Sequence, residues 1–226
     1  MKLAIDSTQN FGSVALATDE RLLYSAFFDI RITHSETLMP AVDQALKICG
    51  GTPGDLKSVY VCRGPGSFTG LRIGVSTAQG IAFGLNLPLF AYSALELYAL
   101  SACGLGKNIL VALDAKMKEV YFAAYDSELH ELIPPQVGKP EALADLGLQA
   151  YFLCGTAAEM VKEGLREAEH DFYVPNRAHR YLGAAGLFEL AALLPDKHRP
   201  QNPVELEPLY LRESTAQVNL PPKTKE

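Results

Sequence analysis

Gly64-Pro65-Gly66-Ser67-Phe68-Thr69-Gly70-Leu71-Arg72-Ile73-Gly74 joins an apolar run, Ser58 to Cys62, to a segment of helical character that ends at Gly84. The run before it is short, β-branched and free of charge, the pattern of a strand buried on both faces. A strand, a glycine-rich turn and a helix N-terminus in that order can present backbone N–H groups to an anion. The turn is not a P-loop, because no Lys-Ser/Thr pair closes it, and Gly104 to Lys107 lacks both the upstream glycine and the downstream hydroxyl. Its spacing and its distance from the first strand also exclude a dinucleotide fingerprint.

Upstream, residues 2 to 5 (KLAI) read as a buried strand ending at Asp6, followed by strands at Ser13 to Thr18 and Leu22 to Ile30. Leu38, Val42, Leu46 and Cys49 then fall at helical spacing, with Thr33 or Ser35 as caps and Gly50-Gly51 as the stop. Downstream of the turn come a helix from about Gly70 to Gly84, a strand at Leu87 to Ala91 and a helix at Ala94 to Ser101. Three strands followed by helix, strand, helix, strand, helix is the order of a ribonuclease-H-like half, an α/β unit with helices over a mixed sheet. Gly104-Leu105-Gly106-Lys107 reads as a hinge, after which the pattern restarts in reduced form. Its pieces are a strand pair, Asn108 to Leu113 and Glu119 to Tyr125 around Lys116-Met117-Lys118, a helix at Glu141 to Leu146, a strand at Tyr151 to Cys154, and helices at Ala157 to Ala168 and Tyr181 to Leu194. The expected division is 1–104, 105–220 and a mobile tail, 221–226.

The 226 residues, 48% hydrophobic and 20% charged, suit a soluble protein with a sizeable core and exclude a disordered chain. No window reaches the ~18 continuous apolar residues of a membrane span. At the N-terminus Leu-Ala-Ile runs straight into Asp6, too short for a targeting segment, so a cytoplasmic location is expected. Cys49, Cys62, Cys103 and Cys154 form no C-x-x-C and read as reduced, buried thiols. A formal charge of -6 with pI near 5.4 opposes an autonomous nucleic-acid binder, so any RNA contact has to come through a partner.

The helix after the turn is costly as a sequence. Each interior glycine among Gly70, Gly74, Gly80 and Gly84 disfavours a helix by roughly 0.8–1 kcal/mol relative to Ala. Arg72, Ser76 and Gln79 make one narrow polar stripe, and apolar residues occupy the rest of the circumference. Such a helix needs cover from its own sheet and from a second body, which nominates a protein interface formed by Gly64, Pro65, Gly66, Phe68, Thr69, Gly70, Arg72, Ile73, Gly74, Thr77, Ala78 and Ile81. On this reading Gly74→Leu leaves the monomer folded and blocks the partner.

The eleven-residue run resembles the signature of the TsaB (YeaZ) family, together with LAIDST at 3–8, HSETLMPAV at 34–42 and LEPLYLR at 206–212. The likeness covers the first hundred residues and the closing segment, and little of 127–200. It implies two ribonuclease-H-like halves of the acetate kinase/Hsp70/actin type, the second reduced. It also implies a non-catalytic subunit that dimerises with and activates a TsaD-like paralogue. A TsaE-like ATPase and a TsaC-like enzyme complete the set that installs threonylcarbamoyl on adenosine 37, next to the anticodon. Binding of tRNA through the complex only, and a C2 homodimer of the chain when alone, are further implications.

Where TsaD-like proteins hold a metal with two histidines four residues apart, this chain has His34 and Leu38, so one ligand is missing. Phosphotransferases of the fold open each half with Asp-x-Gly. Here the positions read Asp6-Ser7-Thr8 and Asp114-Ala115-Lys116, and the adenosine-type turn is reduced to Cys154-Gly155-Thr156-Ala157. His130, His170, His179 and His198 are scattered, Ser67 has no base that the sequence nominates, and Glu163, Arg166, Glu167 and Glu169 read as a solvated helix face. The expectation is therefore no catalytic, metal or cofactor site. The alternative is a small-molecule phosphotransferase or weak ATPase of the same fold, which would turn over unaided.

Overall fold

The computed structural model describes residues 1–28, 34–148, 150–175, 182–195 and 199–212. Two five-stranded sheets carry the fold, and each is built by the same rule. In the first, β1 (Lys2–Asp6), β2 (Gly12–Ala17) and β3 (Leu22–Phe28) form an antiparallel meander. α1 (His34–Ile48) then crosses to β4 (Ser58–Cys62), which lies parallel to β1, and α2 (Phe68–Gly84) crosses to β5 (Leu89–Tyr92), parallel to β4. The spatial order is β3-β2-β1-β4-β5, and α3 (Ala94–Ala99) follows.

After a turn in which Gly104 and Gly106 take φ of 77° and 74°, the rule repeats. β6 (Asn108–Asp114), β7 (Val120–Tyr125) and β8 (Glu131–Gly138) form the meander, and β9 (Tyr151–Cys154) lies parallel to β6. α4 (Ala158–Glu167) leads to the two-residue β10 (Phe172–Tyr173), and α5 (Gly186–Leu193) follows. The order β8-β7-β6-β9-β10 mirrors the first sheet. The repeat is reduced: a six-residue 3₁₀ helix, Pro140–Asp145, stands where the first half has the fifteen residues of α1.

Strand alternation sorts side chains between three cores. Leu3, Ile5, Val59 and Val61 face α1 and α2, whereas Ala4, Tyr60 and Cys62 face the other way. In the second sheet Leu110 and Ala112 face α4, and Ile109, Val111 and Leu113 face inward. The inward faces of both sheets close on α3 and α5, which form one central core with Leu95, Leu97, Tyr98, Leu187 and Leu190 fully buried. α3 packs on β6 and β7, and α5 on β4, so each half's last helix covers the other half's sheet.

Several expectations need correction. The helix expected at Glu141 to Leu146 is the 3₁₀ helix. The helix expected over Tyr181 to Leu194 is reduced to Gly186–Leu193, with Tyr181 outside the described residues, as are 29–33 and the tail. The sequence reading missed β8. Pro134 and Pro135 argue against a strand, yet β8 lies at the sheet edge, where a missing N–H costs no ladder bond. Among the described residues no helix is long and apolar enough to cross a membrane.

Because the central core belongs to both sheets, Leu97→Ala should destabilise the whole chain, not one half. A loss of ~2–5 kcal/mol is expected on emptying so buried a site. Urea unfolding followed by probes in each half should show one shared, shifted transition. A second-half transition that stays in place would contradict the shared core.

Candidate functional site

Ser67 ends the glycine turn and caps α2, its hydroxyl accepting from the Gly70 N–H at 3.4 Å. The helix has two unlike faces. Gly70, Leu71, Gly74, Val75, Ala78 and Ala82 are buried against the first sheet. There the Ser7 hydroxyl donates to the Gly70 carbonyl at 2.8 Å, and any side chain at Gly74 would collide with Ser7 Oγ. A side chain at Gly66 would strike the carbonyl of Thr8. Gly64 has φ of +110° and lies against Leu71 and the Leu209 carbonyl.

Three of the glycines that the sequence assigned to a partner are thus explained within the chain. Gly64, Pro65, Gly70, Gly74 and Ala78 are all buried by the chain itself. The expectation that Gly74→Leu leaves the monomer folded is corrected accordingly. The outward face carries Thr69, Arg72, Ser76, Gly80, Phe83 and Gly84, with Ile73, Thr77 and Ile81 half-buried beside them. At Gly80 and Gly84 an added Cβ meets only open space. These two glycines and Phe83, 71% exposed, were not among the expected interface residues.

α1 runs alongside. A groove of about 340 Å³ opens between the helices, with Met39, Val42 and Leu46 on one wall and Gly80, Ile81 and Leu85 on the other. Met39 is 50% exposed despite its size. Gly50, with φ of 67°, stops α1, and the Gly51 N–H donates to the Leu46 carbonyl at 2.9 Å. The signal for α1 was present in its helical spacing, but nothing in the sequence showed that α1 and α2 lie on the same side of the sheet.

A second concavity, about 440 Å³, lies where the ends of β1 and β6 face each other, lined by Thr8, Ser67, Phe68, Asp114, Lys116, Tyr121, Tyr210 and Arg212 among others. Ligands of α/β folds gather outside the carboxyl ends of strands, and a nucleotide is the ligand that this fold class implies. The residues present do not fit one. The Thr8 N–H is taken by the Asp6 carboxylate at 2.9 Å, and the Ser67 N–H by the Thr8 carbonyl at 2.7 Å. The Lys116 N–H is taken by Asp114 at 2.8 Å, and the Asp114 N–H by the Thr156 hydroxyl at 3.1 Å. Lys116 Nζ also pairs with Asp114 at 2.8 Å. Burial pushes the Asp114 carboxyl up, but the hydrogen bonds from Lys116 outweigh it and hold the group below its ordinary value. Phosphate would have to displace these partners.

The segment 201–212 crosses this region as a strap. Gln201 N–H donates to the Leu89 carbonyl at 2.7 Å, and Gln79 Nε2 donates to the carbonyls of Pro203 and Leu206 at 2.6 and 3.0 Å. Leu209 N–H donates to the Arg63 carbonyl at 2.7 Å, and Arg212 pairs with Glu119 at 3.2 Å. The sequence marked this segment only through its family likeness.

Other candidates lie apart. His130 pairs with Asp126 at 2.9 Å, and His170 bonds Tyr151 and the Ala144 carbonyl in the second half. His179, His198 and the His34 side chain lie outside the described residues. Glu163 and Arg166 form an exposed pair at 2.9 Å, as expected of a solvated face. All four cysteines are free. Cys62 and Cys154 are buried, and Cys49 and Cys103 only partly so. Burial pushes the Cys154 thiol up to about 11. No group of three or more His, Cys, Asp or Glu among the described residues could hold a metal ion.

Comparison with known proteins gives one consistent family. Residues 30–217 match the family model described as TsaD: tRNA N6-adenosine threonylcarbamoyltransferase. The chain is 31% identical to the tRNA threonylcarbamoyladenosine biosynthesis protein TsaB of Haemophilus influenzae, over 97% of this chain and 96% of that protein. With TsaB of Escherichia coli it shares 32% identity over 98% of each. YeaZ from Pseudomonas aeruginosa superposes with a TM-score of 0.75 at 28% identity, over 93% of this chain and 99% of that one. A second structure, described as a protein with similarity to peptidase YEAZ from Pseudomonas aeruginosa, gives 0.79 at 27% with the same coverage.

The two faces of α2 separate by mutation. Gly74→Leu forces a side chain into Ser7 and should cost ~1–3 kcal/mol or more by overpacking. Chemical denaturation of that variant should show a lowered midpoint, and an unchanged midpoint would mean that α2 does not sit on β1 as described.

Proposed function

We propose, because the chain belongs to the TsaB (YeaZ) family, that it is a non-catalytic subunit of the tRNA threonylcarbamoyladenosine machinery. It docks a TsaD-like transferase through the outward face of α1 and α2 and activates it. The observation that supports this most is the groove between those helices, where large apolar side chains stand exposed beside glycines with open space above them. Such a face fits a helix laid across it, with the glycines admitting close backbone approach.

The same face, self-complementary about a two-fold axis, would make the homodimer of the isolated chain, which the paralogue displaces. A TsaE-like ATPase joins the larger complex, and tRNA is held by the partners, in keeping with the charge of -6. The setting is cytoplasmic, and 1–104 and 105–220 act as the two repeats of the subunit. The engaged amides of the cleft favour this reading over phosphotransfer. A peptidase reading has little support, because the Ser67 hydroxyl caps α2 and both described ring-bearing candidates, His130 and His170, are bonded within the second half.

Reconstitution of tRNA modification with one component omitted at a time tests the proposal. The chain alone should show no turnover, and its omission should abolish or strongly slow modification by the rest. Gly80→Leu supplies the structural control: it should leave the monomer as stable or more stable, since an interior glycine is replaced, and weaken partner binding at least about tenfold. Turnover by the chain unaided, or Gly80→Leu binding the partner as wild type does, would overturn the reading.

A further inference from the structure

α2 carries a single formal charge, Arg72, on a face otherwise made of small and apolar groups. Its guanidinium carbon lies 4.0 Å from the centroid of the Phe68 ring, and its Nε donates to the Tyr210 hydroxyl at 3.1 Å. The Phe68 and Tyr210 rings pack on each other with centroids 4.9 Å apart. Tyr210 is itself placed by the strap, through the bond from Leu209 N–H to the Arg63 carbonyl. The side chain is therefore held in one orientation before anything binds.

A guanidinium has five N–H donors, and the phenol takes one of them. The two outer nitrogens of Arg72 bond no described residue, and the side chain is exposed. A partner covering α2 would take this charge out of water. An uncompensated buried cation is strongly unfavourable, so the covering surface has to bring an acceptor. We propose that Arg72 is the receptor for one Asp or Glu carboxylate of the docked partner, with Phe68 and Tyr210 as positioning residues. This rests on the docking reading given above. The planar outer edge of a guanidinium matches the two oxygens of a carboxylate, which adds orientation as well as attraction. A nucleic-acid backbone is the weaker candidate, because phosphate tracking needs several cations, whereas α2 carries one and Lys47 of α1 is paired with Asp43 at 2.6 Å.

The test is the affinity of the full chain for a purified TsaD-like partner, without tRNA and again with it, at about 50 mM and about 500 mM NaCl. Wild-type binding should weaken with salt. Arg72→Gln, which keeps an apolar stem over Phe68, should bind about tenfold more weakly at low salt and lose most of the salt response. Arg72→Lys should fall between the two, since it keeps the charge and loses the fork. Tyr210→Phe changes no charge and should weaken binding about threefold, an effect that simple apolar cover would not produce. Equal affinity and equal salt response for Arg72→Gln and wild type would overturn the inference while leaving the docking reading intact. So would a loss that appears only when tRNA is present, which would make the acceptor a phosphate. If wild type and partner form no complex at all, the docking reading itself fails and this inference with it.

Discussion

The seating of α2 on the end of β1 governs the rest of the site. Ser7 donates to the Gly70 carbonyl, and the bare Cα of Gly74 lets the helix come down onto that hydroxyl. A helix held this close presents its opposite face, Thr69 through Gly84, as a well-defined surface beside α1. Next to Ser7, at the place of the glycine in the Asp-x-Gly pattern, stands Thr8, whose N–H is taken by the Asp6 carboxylate at 2.9 Å. The stretch Asp6-Ser7-Thr8 thus ties two properties together: Asp6 engages the amide of the first half's turn, and Ser7 fixes the helix behind it as a platform.

The two halves are joined by more than a linker. Their inward sheet faces share one core around α3 and α5, and the strap from Gln201 to Arg212 runs from β5, past α2 and β4, to the turn after β6. That turn is unusual in its own right, since Lys116, Met117 and Lys118 all take positive φ, between 52° and 63°. Three successive left-handed residues are costly, and Asp114 offsets part of that cost by binding the Lys116 N–H and Nζ. Arg212, which reaches the Ala115 carbonyl and Glu119, holds the same turn from the other side.

The strand-meander, helix, strand, helix, strand order was legible because each element carries its own periodicity: the apolar run of β4 and the helical spacing of Leu38, Val42 and Leu46 needed no tertiary context. β8 was not, because its prolines argue against a strand unless its place at an edge is known. Which residues of α2 face outward was legible only in part. A glycine in a helix signals close approach but not from which side. Composition alone could not separate Gly74, which meets Ser7, from Gly80, which meets open space. The role of Tyr210 depends on a contact with residues some 140 positions earlier in the chain, Arg72 and Phe68, and no local pattern encodes it.

The central claim is that the outward face of α1 and α2, not the cleft between the halves, is where this chain does its work. Hydrogen exchange of the chain with and without a TsaD-like partner tests it most directly, because free and covered backbone amides differ in protection. The account predicts added protection across α1 and α2 and the strap around Tyr210, with β8, β10 and the outward face of α4 unchanged. Protection confined to the turns at Asp6–Thr8 and Asp114–Lys118, or to the second half, would contradict it.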